Sequence, residues 1–301
     1  LARRQADLSV AAIATDELRV STGSACDLAA LAGLQFDVVN DRADRRVGER
    51  HGVAGFDDRT FIWRKVDSLT GEKGNFEVKL IRHQIAEWKK FDMCICPGYF
   101  FKPQKTAVKV QIFHSASIDN YSVSPKALRF DKLFTIGPYL YDKFISTGTL
   151  LENDPRLEKI GMPKIDCLMD GSLNASAIRK ELDIENDLPT VLYAPTRSTI
   201  SGTSLEHAGE EIIKTISGMD VNFLIKLHDR NYRIWRKKNP TDWKKRLNDL
   251  KTPNMRIITG YDICPAFYVS DLLVSDVSSV TYEFCTLDRP MIFYHIDSMI
   301  E

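Results

Sequence analysis

The sequence holds no run of the roughly 18 uninterrupted apolar residues that a membrane-spanning helix needs, so a protein working outside the bilayer core is expected. It has no excess of either charge: Lys+Arg and Asp+Glu are both 41 and the formal net charge is zero, which argues against nucleic acid as a partner. Neither G-x-x-x-x-G-K-[ST] nor G-x-G-x-x-G occurs, and that disfavours P-loop ATPases and ordinary NAD enzymes. The six cysteines (Cys26, Cys94, Cys96, Cys167, Cys264, Cys285) are scattered, mostly in apolar runs, and no second Cys or His pair joins Cys94 and Cys96. Reduced core thiols and no metal site are therefore expected. No secretory leader is read at the start, so a cytoplasmic setting is expected. Because the chain opens without Met and stops after a strand, it is expected to be part of a longer one.

The 301 residues, 44% hydrophobic and 27% charged, can bury a large core, in two domains rather than one. Gly161 to Asp166 is punctuated by Gly and Pro and sets the expected boundary, 1–165 against 166–301. In the first half, strands are expected at Phe36–Val39, Phe76–Ile81, Phe91–Cys96, Lys105–Phe113 and Leu133–Ile136. Helices are expected at Ala25–Leu34, His83–Lys90 and Tyr139–Ser146, and Asp41–Arg50 reads as a solvated charged face. The strand Lys105–Phe113 delivers His114 at its carboxyl end, where open α/β sheets place ligands and a general base would sit. A packed or surface histidine is the plainer alternative.

The second half alternates strand and helix, which calls for a parallel, doubly wound sheet. Strands Thr190–Ala194, Asn222–Leu227 and Asp271–Ser275 each end in a loop with groups suited to phosphate. The first carries Arg197, and the second His228 and Arg230. The third carries Asp276, Ser278 and Ser279 at a helix start, with Glu283 one turn on and able to reach a ribose. His228 can hand a proton or a hydrogen bond to a leaving phosphate. Any one of these loops has a structural reading, such as a Ser-capped helix; three converging on one sheet edge favour a nucleotide-diphosphate site. Arg233 to Arg246, basic with two tryptophans, reads either as a solvated face or as a peripheral contact with an anionic membrane.

The segments T-V-L-Y-A-P-T-R, F-L-I-K-L-H-D-R, S-D-L-L-V-S-D-V-S-S-V-T-Y-E-F and L-D-R-P-M-I-F-Y, in that order, resemble the CDP-glycerol glycerophosphotransferases, the teichoic acid primases and polymerases. Ile112-Phe113-His114 is similar to that family's strand ending in histidine, and Gly161 to Asp166 to its linker. The resemblance spans about residues 105 to 295. Ser115, Asp229 and Arg197 depart from the family's usual residues. The resemblance implies two Rossmann-like domains of the glycosyltransferase B type facing across a cleft. It also implies a CDP-activated polyol-phosphate donor, a polymer or lipid-linked acceptor, and work at the inner face of the cell membrane. In that reading His114 is the base that activates the acceptor, and His228, Arg197, Arg230, Asp276, Ser278, Ser279 and Glu283 serve the donor. The D-x-S-S-x-x-x-E spacing is also similar to UDP-GlcNAc 2-epimerases. A nucleotide-sugar enzyme and a non-catalytic nucleotide-binding module are therefore the alternatives.

Overall fold

The computed structural model describes residues 9–14, 35–40, 78–82, 90–97, 99, 105–113, 122–197, 202–232, 241–260 and 262–295, the first three stretches by backbone alone. The expected helix Ala25–Leu34, the charged stretch Asp41–Arg50, most of the helix His83–Lys90, and His114 with Ser115 lie outside the described residues. The chain divides into two compact units, Leu1–Lys164 and Ile165–Glu301.

In the first unit, β1 (Ser9–Ala14), β2 (Gln35–Asn40), β3 (Val78–Arg82), β4 (Phe91–Cys96), β5 (Thr106–Ile112), β6 (Lys132–Thr135) and β7 (Leu157–Lys159) form one sheet. The order is β3-β2-β1-β4-β5-β6-β7 and every pairing is parallel. Helix α1 (Pro138–Ser146) opens on a proline, whose missing N–H costs nothing in a first turn. It buries Leu140 and Phe144, one helical turn apart, against Phe91, Cys94 and Leu133. Cys94 and Cys96 are fully buried with their sulfurs 3.4 Å apart. That hydrogen bond, and then burial, push the Cys96 thiol well above its usual range, so it stays a protonated core group. The short edge strand β7 was not anticipated: its Leu-Glu-Lys sequence carries one apolar residue, and only Leu157 is buried.

The second unit holds β8 (Thr190–Tyr193), β9 (Asn222–Ile225), β10 (Met255–Ile257), β11 (Leu272–Ser275) and β12 (Met291–Phe293). They run parallel in the order β10-β9-β8-β11-β12. β8 and β9 are buried at every position, as strands covered on both faces must be. Leu192, Leu224 and Leu273 pack on one face with Ile178 of α2 (Ala175–Glu181), and their cluster takes in Phe267 and Phe284 further along the chain. Val191, Tyr193, Phe223, Ile225 and Val274 pack on the other face with Leu205 and Ile213 of α3 (Ser204–Ser217), and with Trp243 and Leu247 of α4 (Trp243–Asp249). Phe267 belongs to α5 (Cys264–Val269) and Phe284 to α6 (Ser279–Phe284). The strand order turns back between β8 and β11, with the β8 connection leading to α3 on one face and the β11 connection to α6 on the other. Such a reversal opens a crevice at the carboxyl edge of a sheet.

Trp243 alters the expectation for the basic segment Arg233–Arg246. Its indole is buried, not turned outward, and residues 233–240 lie outside the described ones. The ring fits because α3 departs from helical geometry at Ala208 and carries Gly209 opposite it. A Cβ at Gly209 would stand 2.9 Å from the tip of the Trp243 ring and 3.1 Å from Leu205 Cδ1. Arg246, for its part, is paired with Glu210. Gly209→Val should therefore destabilise the protein by about 1–3 kcal/mol through overpacking. Urea denaturation reads this directly, and an unchanged midpoint would mean that the indole is not wedged there.

Candidate functional site

The three loops singled out from the sequence open from neighbouring strands at one level. Tyr193 is in register with Ile225 on one side and with Val274 on the other, so Ala194, Lys226 and Ser275 come next on each strand. The Lys226 N–H donates to the Tyr193 carbonyl at 3.0 Å, the Ala194 N–H to the Val274 carbonyl at 3.0 Å, and the Ser275 hydroxyl to the Ala194 carbonyl at 2.6 Å. With parallel strands spaced about 4.8 Å apart, the loops after β9, β8 and β11 open within roughly 10 Å.

Asp276 is the junction of two of them. Its carboxylate is 1% exposed. Oδ1 accepts the Thr196 N–H at 2.8 Å; Oδ2 accepts the Ser204 N–H at 2.8 Å and the Ser204 hydroxyl at 2.7 Å. Because the carboxylate can only accept, Ser204 is the donor there. The Tyr193 hydroxyl, 3.0 Å from Ser204 Oγ, must then donate in its turn. Burial above all, with Asp276 and Tyr294 adding to it, pushes the Tyr193 phenol up, so that proton stays in place. Asp276 thus holds the start of α3 and the residue before Arg197 against the end of β11.

Ser278 caps α6 in an extended conformation, yet its hydroxyl makes no cap bond to the helix. Its carbonyl instead takes the Thr281 N–H at 3.2 Å and the Thr281 hydroxyl at 2.7 Å. Ser278 and Ser279 are half-buried, and Glu283, one turn further on, is 1% exposed. Arg197 is half-buried after Thr196, and His228 is half-buried after Leu227. The His228 carbonyl accepts the Asn231 N–H at 2.8 Å and so starts the tight turn Asp229–Tyr232. Arg230 lies in that turn, with its side chain outside the described residues. His114 lies outside them as well, and Phe113 before it packs on the core of the first unit. Among the described residues no group of three or more His, Cys, Asp or Glu side chains is arranged to hold a metal ion.

Two members of this edge were not anticipated. Ser204 looks like an ordinary helix start, and nothing local marks it as a donor to a carboxylate 72 residues away. Lys226 closes the apolar run F-L-I-K and reads as the polar end of a strand, yet it is 5% exposed.

Residues 152–300 match the sequence profile of CDP-Glycerol:Poly(glycerophosphate) glycerophosphotransferase. The C-terminal half of the chain belongs to this family. Among the relatives of this glycerophosphotransferase-family chain is the teichoic acid glycerol-phosphate primase of Bacillus spizizenii, 26% identical over 141 residues, covering 46% of this chain and 34% of the relative. Another is the teichoic acid ribitol-phosphate polymerase TarL of Staphylococcus aureus, 30% identical over 147 residues, covering 46% and 24%. The chain therefore spans well under half the length of these relatives. In three dimensions it is similar to the wall teichoic acid polymerase TagF, with a TM-score of 0.60 at 15% identity over 96% of this chain and 70% of the other. A putative UDP-N-acetylglucosamine 2-epimerase from Listeria monocytogenes gives 0.59 at 12% identity over 95% and 78%. These likenesses establish the fold: a pair of Rossmann-like units of the glycosyltransferase B type.

In this family member Asp276→Asn would set an amide N–H2 against backbone donors. A loss of roughly 2 kcal/mol or more is expected, in line with buried hydrogen bonds to a charged group. Urea denaturation followed by tryptophan fluorescence measures it. Retention of wild-type stability would show that the carboxylate does not carry this junction.

Proposed function

We propose that the protein transfers a polyol phosphate, of the glycerol- or ribitol-phosphate kind, from a CDP-activated donor to an acceptor hydroxyl in cell-envelope polymer synthesis, releasing CMP. The observation that carries this reading is the junction at the β8/β11 reversal, where Asp276 draws the loop bearing Arg197 onto the turn that presents Ser278 and Ser279. Family membership supplies the chemical class, and the relatives named above act on glycerol and ribitol phosphates.

In this reading the donor's diphosphate lies against Ser278, Ser279 and Arg197, with Arg230 and His228 beside it and its ribose toward Glu283. His114 takes the proton of the acceptor hydroxyl. The oxygen attacks the phosphorus that bears the polyol, the bond from that phosphorus to the bridging oxygen breaks, and CMP leaves with its charge held by His228 and the arginines. Phosphoryl transfer of this sort is positioning and charge stabilisation more than covalent chemistry, which fits a site made of donors, cations and one base. No helix among the described residues is long and apolar enough to cross a membrane. We assign any contact with the membrane face to cations such as the exposed Lys244 and Lys245, since Trp243 is committed to the core.

Incubating the protein with CDP-glycerol, CDP-ribitol and UDP-sugars and a polyol-phosphate acceptor tests the reading. CMP release from a CDP-polyol alone is expected; release of UMP or UDP would select the nucleotide-sugar alternative, and release of nothing the non-catalytic one. His114→Ala should lower kcat about a hundred- to ten-thousandfold with the affinity for CDP kept. Ser278→Ala combined with Ser279→Ala should raise the Kd for CDP at least about tenfold. Normal turnover in the first variant, or unchanged affinity in the second, would remove that residue's assigned role.

A further inference from the structure

The first turn of α3 is separated from the body of its helix. Ala208, at φ −143° and ψ 17°, breaks the helical path, and Gly209 just after it is fixed against the Trp243 ring. Residues 204–207 therefore make one turn whose direction the rest of α3 does not dictate. Thr203 closes that turn locally: its hydroxyl accepts the Glu206 N–H at 3.3 Å and its carbonyl the His207 N–H at 3.0 Å. Ser204 then fastens it to Asp276.

His207 supplies a second attachment, to a different strand. Its Nδ1 lies 2.8 Å from the Tyr294 hydroxyl, and the two rings stand 5.8 Å apart at 50°. Tyr294 follows β12 directly, and its N–H donates to the Ser275 carbonyl at 2.8 Å, so it is held in line with the sheet. Ser275 is in register with Phe293, which makes Asp276 and Tyr294 neighbours across the β11/β12 pair. Met291 packs with the α5 and α6 cluster; three positions on, Tyr294 points to the opposite face, the one that α3 covers. The Tyr193 phenol, pushed up by burial first and by Asp276 next, feels Tyr294 as well. Ser204 and His207, three residues apart and hence on one side of the turn, thus rest on two adjacent strand ends. A single attachment at Asp276 is a pivot about which the turn can swing; two attachments fix its direction. Because Asp276 also takes the N–H of Thr196, that direction reaches the residue next to Arg197.

We propose that His207 and Tyr294 are positioning residues for donor binding: their contact sets the first turn of α3 across β11 and β12 and so holds Arg197 at the diphosphate. The inference rests on the diphosphate site proposed above. His207 is exposed and Tyr294 half-buried, so the pair adds little to the stability of the fold, and its value lies in orientation.

The test is calorimetric titration of the protein and its variants with CDP, alongside thermal melting. Tyr294→Phe keeps the ring and removes the hydroxyl, His207→Ala removes the imidazole, and His207→Asn keeps a hydrogen-bonding atom where Nδ1 stands. The first two are each expected to raise the Kd for CDP about three- to tenfold, the scale of one hydrogen bond, with little change in melting temperature. Tyr294→Phe combined with His207→Ala should do no worse than either alone, since both remove the same contact. His207→Asn should stay within about twofold of the unaltered protein. Tyr294→Phe should also cost less in an Arg197→Lys background, where the forked donor that the pair aligns is gone. Unchanged affinity in Tyr294→Phe and His207→Ala, or losses that add when the two are combined, would overturn the role of the pair and leave the donor site standing. An equal loss in the Arg197→Lys background would overturn the route through Arg197. Unaltered protein that binds no CDP would overturn the donor site and this inference together.

Discussion

One buried carboxylate sets the geometry of the second unit's carboxyl edge. Asp276 ends β11, yet the donors it satisfies belong to the connection that leaves β8: the N–H of Thr196, and the N–H and hydroxyl of Ser204. Three donors on two oxygens are what an ionised group needs once water is withdrawn, and no neutral side chain of that size accepts as many. Because β8 and β11 flank the reversal of strand order, the connections they launch diverge to opposite faces of the sheet. Without a cross-tie those connections would have only the strand ladder to relate them. With it, the loop bearing Arg197 and the turn bearing Ser278 become one surface.

Much of this unit could be read from the chain itself. Buried parallel strands are apolar along their whole length, so T-V-L-Y, N-F-L-I and L-L-V-S announce themselves, and the helices between them follow from the alternation. That the three loops share one edge follows from parallelism alone. Harder to read were features whose cause lies far along the chain. Trp243 looked like a surface aromatic in a basic segment because the residue that admits its ring, Gly209, sits more than thirty positions earlier on another helix. Asp276 reads from the sequence as one of the phosphate-suited groups of a polar turn at a helix start; its partners at Thr196 and Ser204 are visible only once the strands are in register. Lys226 escaped notice for the same kind of reason: its burial depends on what Ala194 and Ser275 leave room for.

The charge pattern points the same way. With 41 cations balanced by 41 anions, the chain as a whole exerts no net pull on an anionic nucleotide, so in the proposed reading affinity for a diphosphate comes from groups at the site. Those groups are of two kinds: neutral donors that keep a free hydroxyl, such as Ser278, and cations whose charge is already answered. An answered cation costs less to bury than a bare one, and it keeps the empty site from capturing stray anions with full strength. The trade is a weaker grip, since an incoming phosphate gains only the difference between its own contact and the one it displaces.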